Sequence, residues 1–123
     1  MVLSWKRALA TKQHDNSHFH DKVALRSALI ESFRLDLRVL DCCAGFGAIW
    51  HALRESHKVS EYLSIDKDGK AAMLKMDSVR FLKDADLSKF NVFDVDTYGS
   101  PWKHWYHIIR KVNSECLVFL TVG

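Results

Sequence analysis

The chain has 123 residues, 48% of them hydrophobic and 11% aromatic, which is enough apolar material for one packed domain and too much for a disordered chain. Charged residues interrupt every apolar run before the ~18 residues a membrane helix needs, and the first residues lack the apolar stretch and small-residue site of a signal peptide. A net charge of +3 permits an anionic partner such as nucleic acid without requiring one, and three cysteines without metal-ligand spacing suit reduced thiols in the cytoplasm.

Residues 1–20 read as a polar N-terminal segment ahead of a single domain over 21–123. His14, Asp15, His18, His20 and Asp21 cluster there. The chain supplies no further ligand set to close a site, so they read as exposed polar residues and no metal is expected. From Asp21, a candidate N-cap, a helix is expected with Leu25, Ala28, Leu29, Ser32 and Phe33 on its apolar face. The first strand is Leu37–Cys42. A glycine turn follows it, then a helix with Ala48, Ile49, Ala52 and Leu53 as its inner stripe and Trp50 and His51 beside them.

A second strand covers Glu61–Asp66. Only ten residues, Lys67 to Met76, then separate Asp66 from Asp77, too few for a full crossover helix with its loop and strand. Two readings are open. In the first, a helical stub over Asp68–Met73 leads into a short strand, Leu74–Asp77, and a helical turn, Ser78–Lys83. In the second, Asp68–Leu82 is one helix and the third strand is missing. The passage from Met76-Asp77-Ser78 into Arg80-Phe81-Leu82 favours the first. The fourth strand is Asn91–Val95. Pro101 suits the start of a helix whose apolar face is Trp102, Trp105, Ile108, Ile109 and Val112. The fifth strand, Cys116–Val122, is a nearly continuous apolar run of the kind buried on both faces.

The chemistry lies at the strand ends. The first strand runs into Asp41-Cys42-Cys43-Ala44-Gly45-Phe46-Gly47, the second ends at Asp66, and the fourth runs into Asp94-Val95-Asp96-Thr97-Tyr98-Gly99-Ser100-Pro101. Acids and glycines at the carboxyl ends of strands form the ligand-binding edge of an open α/β sheet. A nicotinamide dinucleotide site needs G-x-G-x-x-G with a small third residue, and here Trp50 stands in that place. Asp94 and Asp96 share one face of their strand. Asp94, deeper in it, reads as structural, and Asp96 as the acid open to chemistry. Trp102, Lys103, His104, Trp105 and His107 admit two readings, a base-stacking surface or a core face.

Asp41 to Gly47 resembles motif I of class I S-adenosylmethionine-dependent methyltransferases, and the resemblance extends over about residues 37 to 122. Asp94 to Pro101 is similar to the D-x-D-P-[FY]-G-[ST]-P of tRNA guanine-N2 dimethyltransferases, with Thr97 in place of the first proline. The resemblance implies a Rossmann-like α/β fold with an open, mainly parallel sheet in the order 3-2-1-4-5. It implies S-adenosylmethionine as cofactor, bound by Asp41, Cys43, Gly45, Gly47, Asp66 at the ribose hydroxyls and Asp77 near the adenine. It also implies that Asp96 accepts the N–H of a target amine and Tyr98 stacks on its ring, with Thr97, Gly99, Ser100 and Pro101 bordering the acceptor. The proline replaced by Thr97 helps to fix the carbonyl that holds the amine, so looser positioning or another acceptor is expected.

The Asp-x-Cys-Ala-Gly-x-Gly form of motif I is also similar to RNA cytosine-C5 methyltransferases. The fourth strand's motif has no cysteine, however, and Cys116 lies at the wrong end of the fifth strand. The family's sheet continues beyond strand five, whereas this chain stops at Gly123, so the fifth strand's edge is expected to be open to a second copy or a completing partner. Two functions stand: methyl transfer to an amino nitrogen, such as a nucleobase amine of RNA or DNA, and a non-catalytic methyltransferase-like module that binds the cofactor or a protein partner.

Overall fold

The computed structural model describes residues 6–12, 18–69 and 71–122. In chain order they form β1 (Lys6–Lys12), α1 (Phe19–Ser32), β2 (Leu37–Cys42), α2 (Ala48–Ser56), β3 (Val59–Asp66), β4 (Leu74–Lys75), α3 (Ser78–Asp84), β5 (Val92–Val95), α4 (Trp102–Lys111) and β6 (Cys116–Val122). Strand alternation sorts the core into two layers. Val39, Val92, Leu117 and Phe119 face α1 and α2 with Ile30, Phe33, Trp50 and Leu53. Leu40, Phe93, Val95 and Val118 face α3 and α4 with Leu82, Ile108 and Val112.

The sheet is parallel throughout, in the order β1-β6-β5-β2-β3-β4. From β4 to β6 this is the expected 3-2-1-4-5 order of an α/β, Rossmann-like fold. Two sequence expectations fail at its margins. The far edge of β6 is not open, because β1 pairs along its whole length, from Lys6 opposite Cys116 to Lys12 opposite Val122. Residues 1–20 are therefore not simply a polar segment outside the domain. An edge strand needs main-chain donors and acceptors more than apolar side chains, so polarity gave no hint of it. His14 and Asp15 of the N-terminal polar cluster lie outside the described residues. His18 and Asp21 pair at 3.6 Å at the start of α1, and His20 is exposed.

The second failure is the helical stub over Asp68–Met73. The segment is a turn, closed by the Gly69 N–H on the Asp66 carbonyl (3.1 Å) and the Ala72 N–H on the Gly69 carbonyl (2.8 Å). A parallel neighbour usually requires a long crossover. Here β4 pairs only with Ile65 and Asp66, the last two residues of β3, so the chain doubles back over two residues and not over a strand's length.

The three longer helices bury only part of the expected faces: Phe33, Leu53, Ile108 and Val112 are buried as expected, while other inward positions are polar or lie beside the expected stripe. In α1 the buried residues are Lys22, Arg26 and Ile30, and Ala28 and Ser32 are exposed. In α2, Trp50 and Leu53 are buried and Ala48 is exposed. In α4 the inward residues are His104, Ile108 and Val112, which leaves Trp105 half-buried and Trp102 exposed. The misreadings share a cause. Apolar periodicity assumes apolar partners, and the sheet offers these helices carboxylates and small polar groups as well. Among the described residues, no helix is long and apolar enough to cross a membrane.

Candidate functional site

The turn from β2 into α2 needs left-handed backbone at three places: Cys43 (φ 58°), Gly45 (φ 59°) and Gly47 (φ 75°). Glycine suits this conformation because it has no Cβ to clash. A Cβ at Gly45 would meet nothing within 4 Å, so backbone conformation and not crowding demands glycine there, and the space over the turn is open. The Ala44 N–H donates to the Ile65 carbonyl (2.8 Å) and the Gly45 N–H to Asp66 Oδ2 (2.8 Å). Asp66 Oδ1 accepts the Asp68 N–H (2.9 Å). Asp66, 9% exposed at the end of β3, thus ties the glycine turn to the 67–73 turn.

Beside this turn lies a cleft of about 250 Å³, walled by Gly45, Gly47, Arg54, Tyr62 and Met73. The Arg54 guanidinium lies over the Tyr62 ring at 4.6 Å. A cavity of about 280 Å³ lies at the opposite end of the sheet among Leu87, Phe90 and Val112, away from the acid-terminated strand ends.

Under the cleft is a buried polar layer that sequence reasoning missed. Asp41 and Asp94 are register partners on β2 and β5. Arg26 donates to both oxygens of Asp94, from Nε at 2.7 Å and Nη2 at 2.9 Å, and Trp50 Nε1 donates to the same carboxylate at 2.7 Å. The Tyr62 hydroxyl donates to Asp41 Oδ2 at 2.7 Å. Burial, then the neighbouring Asp94, pushes the Asp41 carboxyl well above the usual carboxylate range, which favours its protonated form. Burial, then Asp41, raises the Tyr62 hydroxyl too. Asp41, read from sequence as a cofactor ligand, is therefore buried beneath the turn with Tyr62 as its partner. Asp94 has the structural role expected of it.

Asp96 lies one step further out on the same face. Lys22 Nζ reaches both of its oxygens at 3.0 Å, with the lysine side chain 3% and the aspartate side chain 20% exposed. A signal for this pairing was present in the sequence. Lys22 and Arg26 stand four residues apart on a helix, about 6 Å of rise, and Asp96 and Asp94 two apart on a strand, about 6.6 Å. The two spacings match, with α1 running antiparallel to β5.

A second cluster gathers on the α3/α4 side. Ser78 Oγ is 2.7 Å from His104 Nε2 and 3.2 Å from Cys43 Sγ, and Cys43 Sγ is 3.8 Å from His104 Nε2. Burial pushes the Cys43 thiol up and the His104 imidazole down, so the pair is neutral and not a thiolate–imidazolium nucleophile. His104 Nδ1 is buried without a hydrogen-bond partner. Asp77, exposed, caps α3 by accepting the Val79 N–H at 3.3 Å.

The motif after β5 is an exposed loop. Thr97 is half-buried, with its hydroxyl donating to the Tyr98 carbonyl at 3.2 Å. Tyr98 is 86% exposed, Gly99 has φ 82°, and Ser100 Oγ accepts the Trp102 N–H at 3.3 Å. Pro101 is buried at the start of α4. Gly45, Gly47, Asp66, Asp77, Asp96 and Tyr98 all lie at the carboxyl edge of the sheet, whereas Asp41 lies beneath it. No known protein family, characterised protein or solved structure matches this chain.

Proposed function

We propose that this chain transfers a methyl group from S-adenosylmethionine to an amino nitrogen, an exocyclic nucleobase amine being the acceptor class. The observation that carries the reading is the arrival of the glycine turn, Asp66 and Asp96 on one edge of the sheet. The residues fit the cofactor. The turn leaves open space over Gly45, and each oxygen of Asp66 keeps a lone pair for a ribose hydroxyl beyond its backbone N–H. Bound there, the cofactor supplies an electrophilic methyl on a sulfonium.

The chain's own residues then do three things. Gly45, Gly47 and Asp66 hold the donor in place, and in-line transfer depends chiefly on such alignment. Asp96 would accept an N–H of the amine and take up its proton as the nitrogen bonds the methyl carbon and the carbon–sulfur bond breaks to leave a neutral thioether, and Lys22 holds that carboxylate in position. Tyr98, open to solvent, stacks on the acceptor ring. The thiols Cys42, Cys43 and Cys116, none of them in a disulfide among the described residues, suit a reducing compartment such as the cytoplasm.

A second reading, a non-catalytic module that keeps only the cofactor site, draws support from the same contact. Both Asp96 oxygens are engaged by Lys22, and Thr97 stands where the resembling family has proline. Calorimetric titration with S-adenosylhomocysteine, followed by a methylation assay, separates the two. Wild type is expected to bind, Asp66→Ala to lose binding, and Asp96→Ala to bind normally but transfer nothing. A folded wild-type chain that does not bind would end the methyltransferase reading. Full transfer by Asp96→Ala would remove that residue from the chemistry, and binding without transfer on any amine would favour the module.

A further inference from the structure

The exposed face of α4 is unlike the rest of the surface. Trp102 is 52% and Tyr106 50% exposed, one helical turn apart, and Tyr98, 86% exposed, precedes them at the same spacing in sequence. Large aromatic rings left in water in a row are uncommon in a domain with room to bury them. The charged residues of α4 itself have one sign. Lys103, Arg110 and Lys111 accompany these rings, and α4 contains no acid. Arg110 lies over the Tyr106 ring at 5.1 Å and donates to its hydroxyl, which places a cation directly against an aromatic face. Lys111 is held on the Ala85 carbonyl at 2.6 Å, so Lys103 and Arg110 are the cations best placed to meet a ligand.

We infer that this face is a docking track for a single-stranded nucleic acid, with bases stacking on Tyr98, Trp102 and Tyr106 and phosphates meeting Lys103 and Arg110. Stacking needs base faces that a duplex keeps paired and covered, and aromatic rings accept any base, so the track selects single strands without reading their sequence. Neither stacking nor phosphate contact distinguishes the two sugars, so RNA and DNA strands are expected to bind alike. Charge complementarity separates this occupant from an acidic peptide, which would use the cations and leave the rings idle. The inference goes beyond methyl transfer and does not depend on it. A strand laid along α4 arrives beside Tyr98 and Thr97, at the mouth of the proposed acceptor site.

Fluorescence anisotropy tests it with short fluorescein-labelled oligo(rU), oligo(dT) and a duplex of the same length, all titrated with the full chain. Both single strands are expected to bind with similar affinity, on the order of tenfold or more tighter than the duplex. Trp102→Ala/Tyr106→Ala should weaken strand binding on the order of tenfold or more, and Trp102→Phe/Tyr106→Phe should restore it. Lys103→Gln/Arg110→Gln should lower the salt dependence by about two counterions. Duplex bound as tightly as strand would reduce the face to a general polyanion contact. Undiminished binding by an alanine variant with wild-type circular dichroism would place the strand elsewhere. No binding by the folded wild type would overturn the inference outright. Asp66→Ala, which disables the proposed cofactor site, should bind strands normally, so this test and the calorimetric one fail separately.

Discussion

Asp41 and Asp94 stand side by side across β2 and β5, and of the two Asp94 takes the Arg26 hydrogen bonds. Burial, and then the like charge of Asp94, raises the Asp41 carboxyl and favours its protonated form, which accepts from Tyr62. This arrangement dictates a pH dependence. Folding raises the Asp41 pKa, so its contribution to stability is complete below the ordinary value of 3.8 and is lost as pH rises through the folded value. Asp41→Asn keeps an oxygen for Tyr62 and has no proton to lose. Urea unfolding at a series of pH values above 3.8 is therefore expected to show wild type declining more steeply than the variant. Parallel curves would mean that Asp41 is not the titrating group. The sequence placed Asp41 at a strand end but could not show that its neighbour was a second acid, because that neighbour lies on another strand.

Between α1 and β5, two basic residues a helical turn apart meet two acids a strand repeat apart. Arg26 is almost fully buried, so its removal leaves Asp94 uncompensated in the interior with only the Trp50 N–H as a donor from the named contacts. Breaking one side of such a buried pair costs about 3–5 kcal/mol, and Arg26→Met is expected to lose that much in urea unfolding. A loss under ~1 kcal/mol would mean that Asp94 finds a proton or water in its place. Lys22 is placed differently, because its partner is partly open to the site. Lys22→Met is therefore expected to leave S-adenosylhomocysteine binding unchanged in calorimetry and to reduce methyl transfer. Reduced cofactor affinity would instead make Lys22 part of the cofactor site. The glycine turn, by contrast, was legible from sequence, since left-handed backbone after a strand is a local demand that glycine alone meets without strain.

Across the whole sheet, β1 covers the edge that the chain order alone left open. β6 is apolar on both faces, and an unpaired edge of that kind recruits other strands. Removal of residues 1–12 is expected to turn a dispersed protein into dimers or larger species in size-exclusion light scattering, with far-ultraviolet circular dichroism largely kept. A truncated chain that stays monomeric would mean that β1 contributes little to protecting β6. The minimal β3–β4 connection belongs to the same scale. With pairing confined to Ile65 and Asp66, the sheet gains a sixth strand through a turn and dispenses with a crossover helix.

The strands Leu37–Cys42 and Cys116–Val122, the glycine turn at Gly45 and Gly47, and the run of acids at the strand ends are legible in the residues themselves. Period-two alternation, turn chemistry and strand polarity are local properties, readable within a few residues. The polar residues that turn inward on the helices, the pairing of β1 along β6, and the service of Lys22 and Arg26 to Asp96 and Asp94 depend on the folded chain. These pairings join residues roughly seventy positions apart, 74 for Lys22 with Asp96 and 68 for Arg26 with Asp94. Their energy comes from placing opposite charges together out of water. Such a contact leaves only matched spacings in the two segments, four residues on a helix and two on a strand, and becomes definite once the sheet has brought them face to face.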